Sequence, residues 1–373
     1  MADGPIPSSW CEIHCDRISS NLERTLGLIP DGVGFCAVMK ADAYGHGIER
    51  VVPLLMEQGV GCVGITSNAE AGAVRAAGFS GRLIRLRAAT PQEMEAALSD
   101  RVEEQVGSIG AAIQLRRILD AGRSGTGVHL ALNADGMSRD GLEISTKAGQ
   151  QACRAILGEI GERVTGICTH FPTNEPAPLK QSSDLFRQQV AWVCDNSDLN
   201  RSDLMVHAGS TLTLLSGEPV ETDMYRCGAI LYGFLKPELG FRPTMALKAR
   251  VVHVGDYPKG ATVGYDRDRL LDTERCLACI SIGYAAGYRR IAQDRGAVLI
   301  RGKRAPVLGK VSMNSIVADV TGIADVQVGD EATVFGGDSA NAIGPDMAAK
   351  QFETILPELL ADWGMRNPRT YLG

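Results

Sequence analysis

A lysine closes the first strongly apolar run of the chain, in Ala37-Val38-Met39-Lys40-Ala41-Asp42-Ala43-Tyr44-Gly45-His46-Gly47. An amine at the end of a buried strand loses hydration, which lowers its pKa and leaves a nucleophile able to form a Schiff base with a carbonyl group. By position alone a strand-end lysine that turns to solvent is the commoner outcome, so both readings stand at this point. Cys276 and Cys279 form an isolated CxxC inside the apolar run Cys-Leu-Ala-Cys-Ile-Ser-Ile. Neither a second pair nor a histidine at ligand spacing accompanies it, so a buried strand is the better reading and no metal is expected.

These residues need elements to position them. Eight strand-like segments precede residue 240, at 35–40, 62–66, 83–88, 103–108, 128–133, 164–171, 204–208 and 224–233. Helical spacing lies between them, as in Ile18, Leu22 and Leu26 or Val51, Leu54 and Leu55. Eight strand-helix units predict a (β/α)8 TIM-type barrel, whose reactive groups gather at the C-terminal ends of the strands. A doubly wound sheet is the rival. Past residue 240 the text changes to turn-separated apolar runs at 245–254, 277–282, 297–300, 307–311 and 332–335. They read as a C-terminal mainly-β domain, closed by a helix that opens at Pro345 and Asp346. The expected domains are residues 17–240 and 241–373, the second joined by the N-terminal segment 8–16.

Composition narrows the function. The 373 residues are 45% hydrophobic and 22% charged with a net charge of −6, which lacks the basic footprint of a nucleic-acid binder. No apolar run approaches the ~20 residues of a membrane helix, and residues 1–10 lack the basic and apolar regions of a signal peptide. Ten scattered cysteines do not make a disulfide scaffold.

The eleven residues around Lys40 resemble the cofactor-lysine motif of the alanine racemase family, enzymes that bind pyridoxal 5'-phosphate (PLP) on a barrel followed by a β domain. The resemblance runs from the first barrel strand to the last helix. It implies that Lys40 carries PLP and is one of two acid-base groups, and that Tyr44 contacts the cofactor phosphate. Racemisation takes a proton from one face of the α-carbon and returns one to the other, so a second group is required. The resemblance implies Tyr265, in Thr262-Val263-Gly264-Tyr265-Asp266-Arg267. Its pKa, near ~10 when free, must be lowered by cations. Without the resemblance Tyr265 reads as a turn aromatic. In the family this tyrosine crosses from the partner subunit, which implies a homodimer.

Arg226, in Met224-Tyr225-Arg226-Cys227-Gly228, corresponds to the arginine facing the pyridine nitrogen. A guanidinium stays charged and does not protonate that nitrogen, which suits a short-lived carbanion and reversible proton transfer. On its own Arg226 reads equally as a surface salt bridge. The resemblance also implies that Ser210, Thr211 and the free backbone N–H groups of Gly228 and Ala229 hold the phosphate, near strands seven and eight as is common in such barrels. Arg139 is implied near the cofactor's phenolic oxygen and the substrate carboxylate, and His170 beside the pyridine ring with a hydrogen bond to Arg226. Tyr284, Met313 and Asn314 are the implied substrate contacts.

Several positions depart from an ordinary alanine racemase. Ala131-Leu132-Asn133-Ala134 holds no lysine before the Gly-Met-x-Arg element, and Asn314 stands where an aspartate usually follows Met313. Ala286 replaces a usual aspartate, and the family's phosphate tyrosine near the C-terminus is replaced around 363–365. With Thr169-His170-Phe171-Pro172 and Gly287-Tyr288-Arg289-Arg290, the first two departures resemble the broad-specificity amino-acid racemase branch. That implies interconversion of L- and D-amino acids, lysine and arginine as well as alanine. The branch is exported and pairs two cysteines that match Cys36 and Cys62, which implies a periplasmic protein that has lost its leader. A cytoplasmic enzyme with two buried thiols is the alternative to that location. For the function, the alternatives are a strict alanine racemase and a non-catalytic PLP-binding carrier.

Overall fold

The computed structural model describes residues 6–122, 125–337 and 340–373. The chain forms two compact units, one made of Leu22–Ala43 and Ile48–Leu231, the other of the chain up to Asn21 with Tyr44–Gly47 and Tyr232–Gly373. Strand β1 (Ser9–His14) belongs to the second unit, and the next eight build the first: β2 (Gly34–Val38), β3 (Cys62–Ile65), β4 (Arg82–Arg85), β5 (Val102–Val106), β6 (Val128–Ala131), β7 (Val164–Cys168), β8 (Met205–His207) and β9 (Met224–Cys227). Neighbours pair in parallel from β2 through β8, and β9 returns to pair with β2. Between β8 and β9 the ring closes through a parallel bridge of Ser210 with Arg226, where the Arg226 amide donates to Gly209 O at 2.9 Å.

The eight expected strands are thus a barrel, but all stop short of their expected C-terminal ends because the chain turns there to build the mouth. The run expected to reach residue 233 ends at Cys227 and continues as a 3-10 turn over Ala229–Tyr232. Strands β3, β6 and β9 are buried along their whole length, as parallel strands covered on both faces must be. Capping boxes Ser67/Glu70 and Thr90/Glu93 start the helices Asn68–Ala76 and Pro91–Ala96. Leu130, Ile156, Ile167 and Phe186 belong to the largest apolar cluster described in this unit.

In the second unit β10 (Met245–Tyr257) is the organiser. Its 13 residues pair antiparallel with β1, with Glu331–Phe335 and with Arg275–Ile280. β1 also takes a parallel partner, Arg369–Leu372, a strand the sequence did not announce. The single closing helix is two, Pro345–Phe352 and Leu356–Arg366, separated where Glu353 takes a φ of 48° and Pro357 starts afresh. Trp363 is fully buried between the rings of Phe335 and Phe352. Residues 232–240, expected with the barrel, lie in this unit because Tyr232 stacks on His46 and its carbonyl accepts from Thr244 at 3.1 Å. Cys276 and Cys279 sit on the strand Arg275–Ile280, half-buried rather than buried. Among the described residues no helix is long and apolar enough to cross a membrane.

Candidate active site

Lys40 opens a turn of unusual hand. Ala41, Asp42, Ala43 and Tyr44 follow it with φ of 53°, 54°, 56° and 54°, all left-handed and none a glycine. Each such L-residue costs ~1–2 kcal/mol, so the turn must be held from outside. The Ala41 amide donates to Glu70 Oε1 at 2.8 Å, the Ala43 amide to Met39 O at 2.9 Å, and Asp42 Oδ1 accepts from the Ile48 amide at 2.8 Å. Lys40 is thereby placed at the C-terminal end of β2, open to solvent at the mouth. Crowding of its amine by protein lowers its pKa, the charge of Arg139 lowers it further, and Glu70 partly opposes both.

The turn ends in the other unit. Tyr44 packs its ring 4.9 Å from that of Tyr232. Gly45, at φ 81°, lies so close to the closing helix that a Cβ would stand 2.2 Å from Leu360 O. Only glycine fits there.

Arg226 is the most firmly held group in the barrel. Its Nη1 meets His207 Nδ1 at 2.8 Å, and its Nη2 donates to Thr169 O at 2.8 Å and Ala208 O at 3.2 Å. Nη2 also lies 3.4 Å from His170 Nδ1. Burial and the charges of Arg226, Arg139 and Lys40 pull the His170 pKa down to about 3, so this ring is neutral near pH 7. Arg139 stands exposed beside them and pairs with Asp140 at 3.4 Å. His207 and His129 were missed by sequence reasoning. The signal available was a histidine interrupting an apolar parallel strand, at Val128-His129-Leu130 and Met205-Val206-His207.

The residues expected at the phosphate lie on the turns that follow β8 and β9. Ser210 caps the turn Thr211–Leu215 by accepting from the Thr213 amide, and Thr211 is buried. The Gly228 amide, expected to be free, donates instead to Thr211 Oγ1 at 3.2 Å. The hydroxyl and the amide satisfy each other, as buried polar groups must.

The remaining expected residues belong to the second unit and lie on turns. Tyr265 is 63% exposed. Its turn is fixed by Gly264, whose absent side chain makes room for the Lys310 amide, and by an ion pair of Lys310 with Asp266 at 2.8 Å. The Tyr284 amide donates to Ser312 O at 3.1 Å and the Ala285 amide to Met313 O at 3.0 Å, so Tyr284 and the Met313-Asn314 turn are tied to each other. Ala286 O accepts from Asn367 Nδ2 at 3.0 Å.

Cys36 on β2 and Cys62 on β3 lie one residue ahead of the paired Ala37 and Val63. The disulfide implied above is not formed in this structure: both are free thiols, and the hydrogen bond that the Cys36 thiol donates to Cys62, with burial, raises the Cys36 pKa well above the usual range.

An amine of lowered pKa would suit an aldehyde, the hydroxyls of Ser210 and Thr211 after β8 a phosphate, and a buried guanidinium with a neutral imidazole beside it a pyridine ring, so the residues present fit PLP. A parallel barrel with this mouth, continued by an antiparallel domain, is the architecture of a family of PLP-dependent enzymes. The chain belongs to the alanine racemase family: residues 13–236 match the alanine racemase N-terminal domain and residues 244–371 the C-terminal domain. It is similar to the broad specificity amino-acid racemase of Vibrio parahaemolyticus, 37% identical over 365 residues covering 98% of this chain and 89% of that protein. It is 36% identical to the lysine racemase of Proteus mirabilis, with the same shares covered. Its fold matches the crystal structure of alanine racemase from D-cycloserine producing Streptomyces lavendulae with a TM-score of 0.90 at 26% identity, covering 99% of this chain and 98% of that one.

Proposed function

We propose that this protein is a PLP-dependent racemase of broad specificity that interconverts the L- and D-forms of lysine, arginine, alanine and similar unbranched amino acids. The observation that carries the reading is the mouth of the barrel, where the Lys40 amine of lowered pKa shares its surroundings with Arg139, a neutral His170 and an Arg226 bonded to His207, Thr169 and Ala208. When bound, PLP withdraws electrons from the substrate's α-carbon and makes its proton easier to remove. Lys40 Nζ then takes or returns that proton on one face, and Tyr265 Oη does so on the other. Arg226 remains protonated and gives no proton to the ring nitrogen, which limits the electron withdrawal and favours prompt return of the proton. Arg139 offers its guanidinium to the substrate carboxylate.

Tyr265 reaches the site of a second copy in this reading. Tyr265, Leu270, Ile291 and Met313 of the same unit are all exposed large apolar residues, and a neighbouring subunit would cover such residues. Substrate breadth rests on Asn314, a neutral amide where a carboxylate would add charge beside the substrate, and on the similarity to the Vibrio and Proteus enzymes. A periplasmic location would let a thiol oxidant of that compartment take two electrons and two protons from Cys36 and Cys62. Neighbouring strands lie ~4.8 Å apart, within reach of a bridge. Counting alkylated cysteines in protein recovered from the periplasm tests that part.

The function is tested by α-proton exchange in heavy water with added PLP, offering L-alanine, L-lysine, L-arginine and a β-branched amino acid, with chiral analysis of the products. Exchange with racemisation of lysine or arginine is the expected result. Turnover of alanine alone would leave a strict alanine racemase, and no exchange would leave a PLP carrier.

A further inference from the structure

Behind Arg226 a line of buried polar side chains crosses the barrel from its mouth towards the N-terminal ends of the strands. Arg226 Nη1 meets His207 Nδ1 at 2.8 Å, His207 Nε2 meets His129 Nδ1 at 2.9 Å, and His129 Nε2 meets Glu103 Oε2 at 2.7 Å. Both imidazoles have no exposed surface. Glu103 turns its other oxygen to Arg82 Nε at 2.9 Å. The fold makes room for this line: a Cβ on Gly166 would stand 2.3 Å from His129 Nδ1, so the neighbouring strand admits the ring only as glycine.

The direction of every bond in the line follows from its two ends. A guanidinium has donors only, so His207 Nδ1 must accept. A neutral imidazole that accepts at one nitrogen donates at the other, so His207 carries its hydrogen on Nε2 and donates to His129 Nδ1. By the same step His129 carries its hydrogen on Nε2 and donates to Glu103, whose carboxylate only accepts. A proton added to either ring would set two donors against each other. The line therefore works as one unit, Arg226 to His207 to His129 to Glu103, with a cation at one end, a carboxylate at the other and two neutral rings of fixed tautomer between them.

We infer that Glu103 and His129 are positioning residues that set the His207 tautomer and through it hold the Arg226 guanidinium in the plane in which it meets its ligand. Neither residue reaches the mouth of the barrel. Without an acceptor at position 103, His129 gains no benefit from its Nε2–H tautomer, His207 loses its fixed acceptor at Nδ1, and Arg226 loses one of its partners. The inference rests on the reading of Arg226 as the cation facing the cofactor ring.

The test joins a measurement that needs no turnover to one that does. In the full-length protein loaded with PLP and labelled with 15N-histidine, long-range 15N–1H spectra should show the Nε2–H tautomer for both His129 and His207, assigned by single replacement. An Nδ1–H tautomer or an imidazolium at either one overturns the inference. Glu103→Leu removes the acceptor, whereas Glu103→Gln keeps an acceptor oxygen. Glu103→Leu should mix the His207 tautomers and lower kcat ~10–100-fold, the size of effect seen when an outer partner of a functional imidazole is lost, with KM changed less than about threefold. Glu103→Gln should keep the tautomers and most of kcat. Equal kcat in wild type and Glu103→Leu, or a loss confined to thermal stability, overturns it. Should Glu103→Leu fail to fold, the wild-type spectra and Glu103→Gln still decide. If the wild type catalyses no α-proton exchange, the racemase reading fails while the tautomers are measured all the same, so the two failures are distinct.

Discussion

In the barrel unit Arg226 is buried and bonded to His207, Thr169 and Ala208 with His170 beside it, and Lys40 opens a turn that Glu70, Asp42 and Met39 brace from three sides. In the second unit Tyr265 is 63% exposed, Met313 55% and Tyr284 40%, all on short turns tied mainly through backbone atoms. The first arrangement resists reorientation because moving any side chain strands a buried polar partner. The second leaves side chains free to meet something outside the unit. On the function proposed above, the braced barrel residues would hold the cofactor, and the exposed turns would carry Tyr265 as second proton carrier together with the substrate contacts.

The sharpest way to break this comparison is to strike the braced region first. Lys40→Ala removes both the covalent anchor and one acid-base group, so racemisation should fall by about 10³-fold or more, and the visible band of lysine-bound PLP should vanish. An unchanged spectrum would mean that the braced amine is not the attachment point. Tyr265→Phe strikes the exposed region. It should cost ~10²–10³-fold, with proton exchange suppressed more strongly from one enantiomer than the other, because only one face loses its carrier. Equal losses from both enantiomers, with wild-type isotope effects, would remove Tyr265 from that role. Asn314→Asp is milder: the rate ratio for lysine over alanine should fall about tenfold, equivalent to ~1.4 kcal/mol, since a carboxylate replaces a neutral amide beside the substrate. A ratio unmoved by the change would detach substrate breadth from this turn.

What the sequence let one read follows the same division. Lys40 stood out as a cation ending an apolar run, but only the resemblance of the eleven residues around it separated it from a solvent-facing lysine, whereas the eight barrel strands were legible because parallel strands are apolar throughout. The turn after Lys40 was not. Of Ala41, Asp42, Ala43 and Tyr44 only the aspartate tolerates positive φ well, and the conformation is imposed by Glu70 and Ile48, which are distant or later in the chain. Strand Arg369–Leu372 was hidden for a related reason, since it alternates half-buried and exposed residues and finds its partner β1 at the opposite end of the chain. His129 and His207 each look unremarkable alone, and only the barrel register brings them within hydrogen-bond distance. The Gly228 amide shows the converse, since its residue type suits a phosphate but does not announce the bond it donates to Thr211.

The smallest expected effect is on stability in acid, and it separates the two regions without reference to turnover. His170 has its pKa pulled from 6.5 to about 3, first by burial and then by Arg226, Arg139 and Lys40, and His207 is likewise held well below 6.5. In the unfolded chain both titrate near 6.5. Their neutral forms therefore carry no penalty above pH 6.5, whereas between pH 6.5 and 3 the unfolded chain binds protons that the native protein refuses, and stability falls as the pH falls. His170→Gln removes one of these titrations, so its unfolding midpoint in urea should decline less steeply than that of the wild type over this window. Because His170 lies at the open mouth, solvent screening keeps the change below the full slope of one proton. Tyr265→Phe removes only an exposed hydroxyl from the other unit and should leave the slope as it was. Identical slopes for wild type and His170→Gln would show that the ring is protonated in the native protein. In that state it could no longer accept at Nδ1 beside Arg226, and the barrel half of the site would lose the locked character on which the contrast with the exposed turns depends.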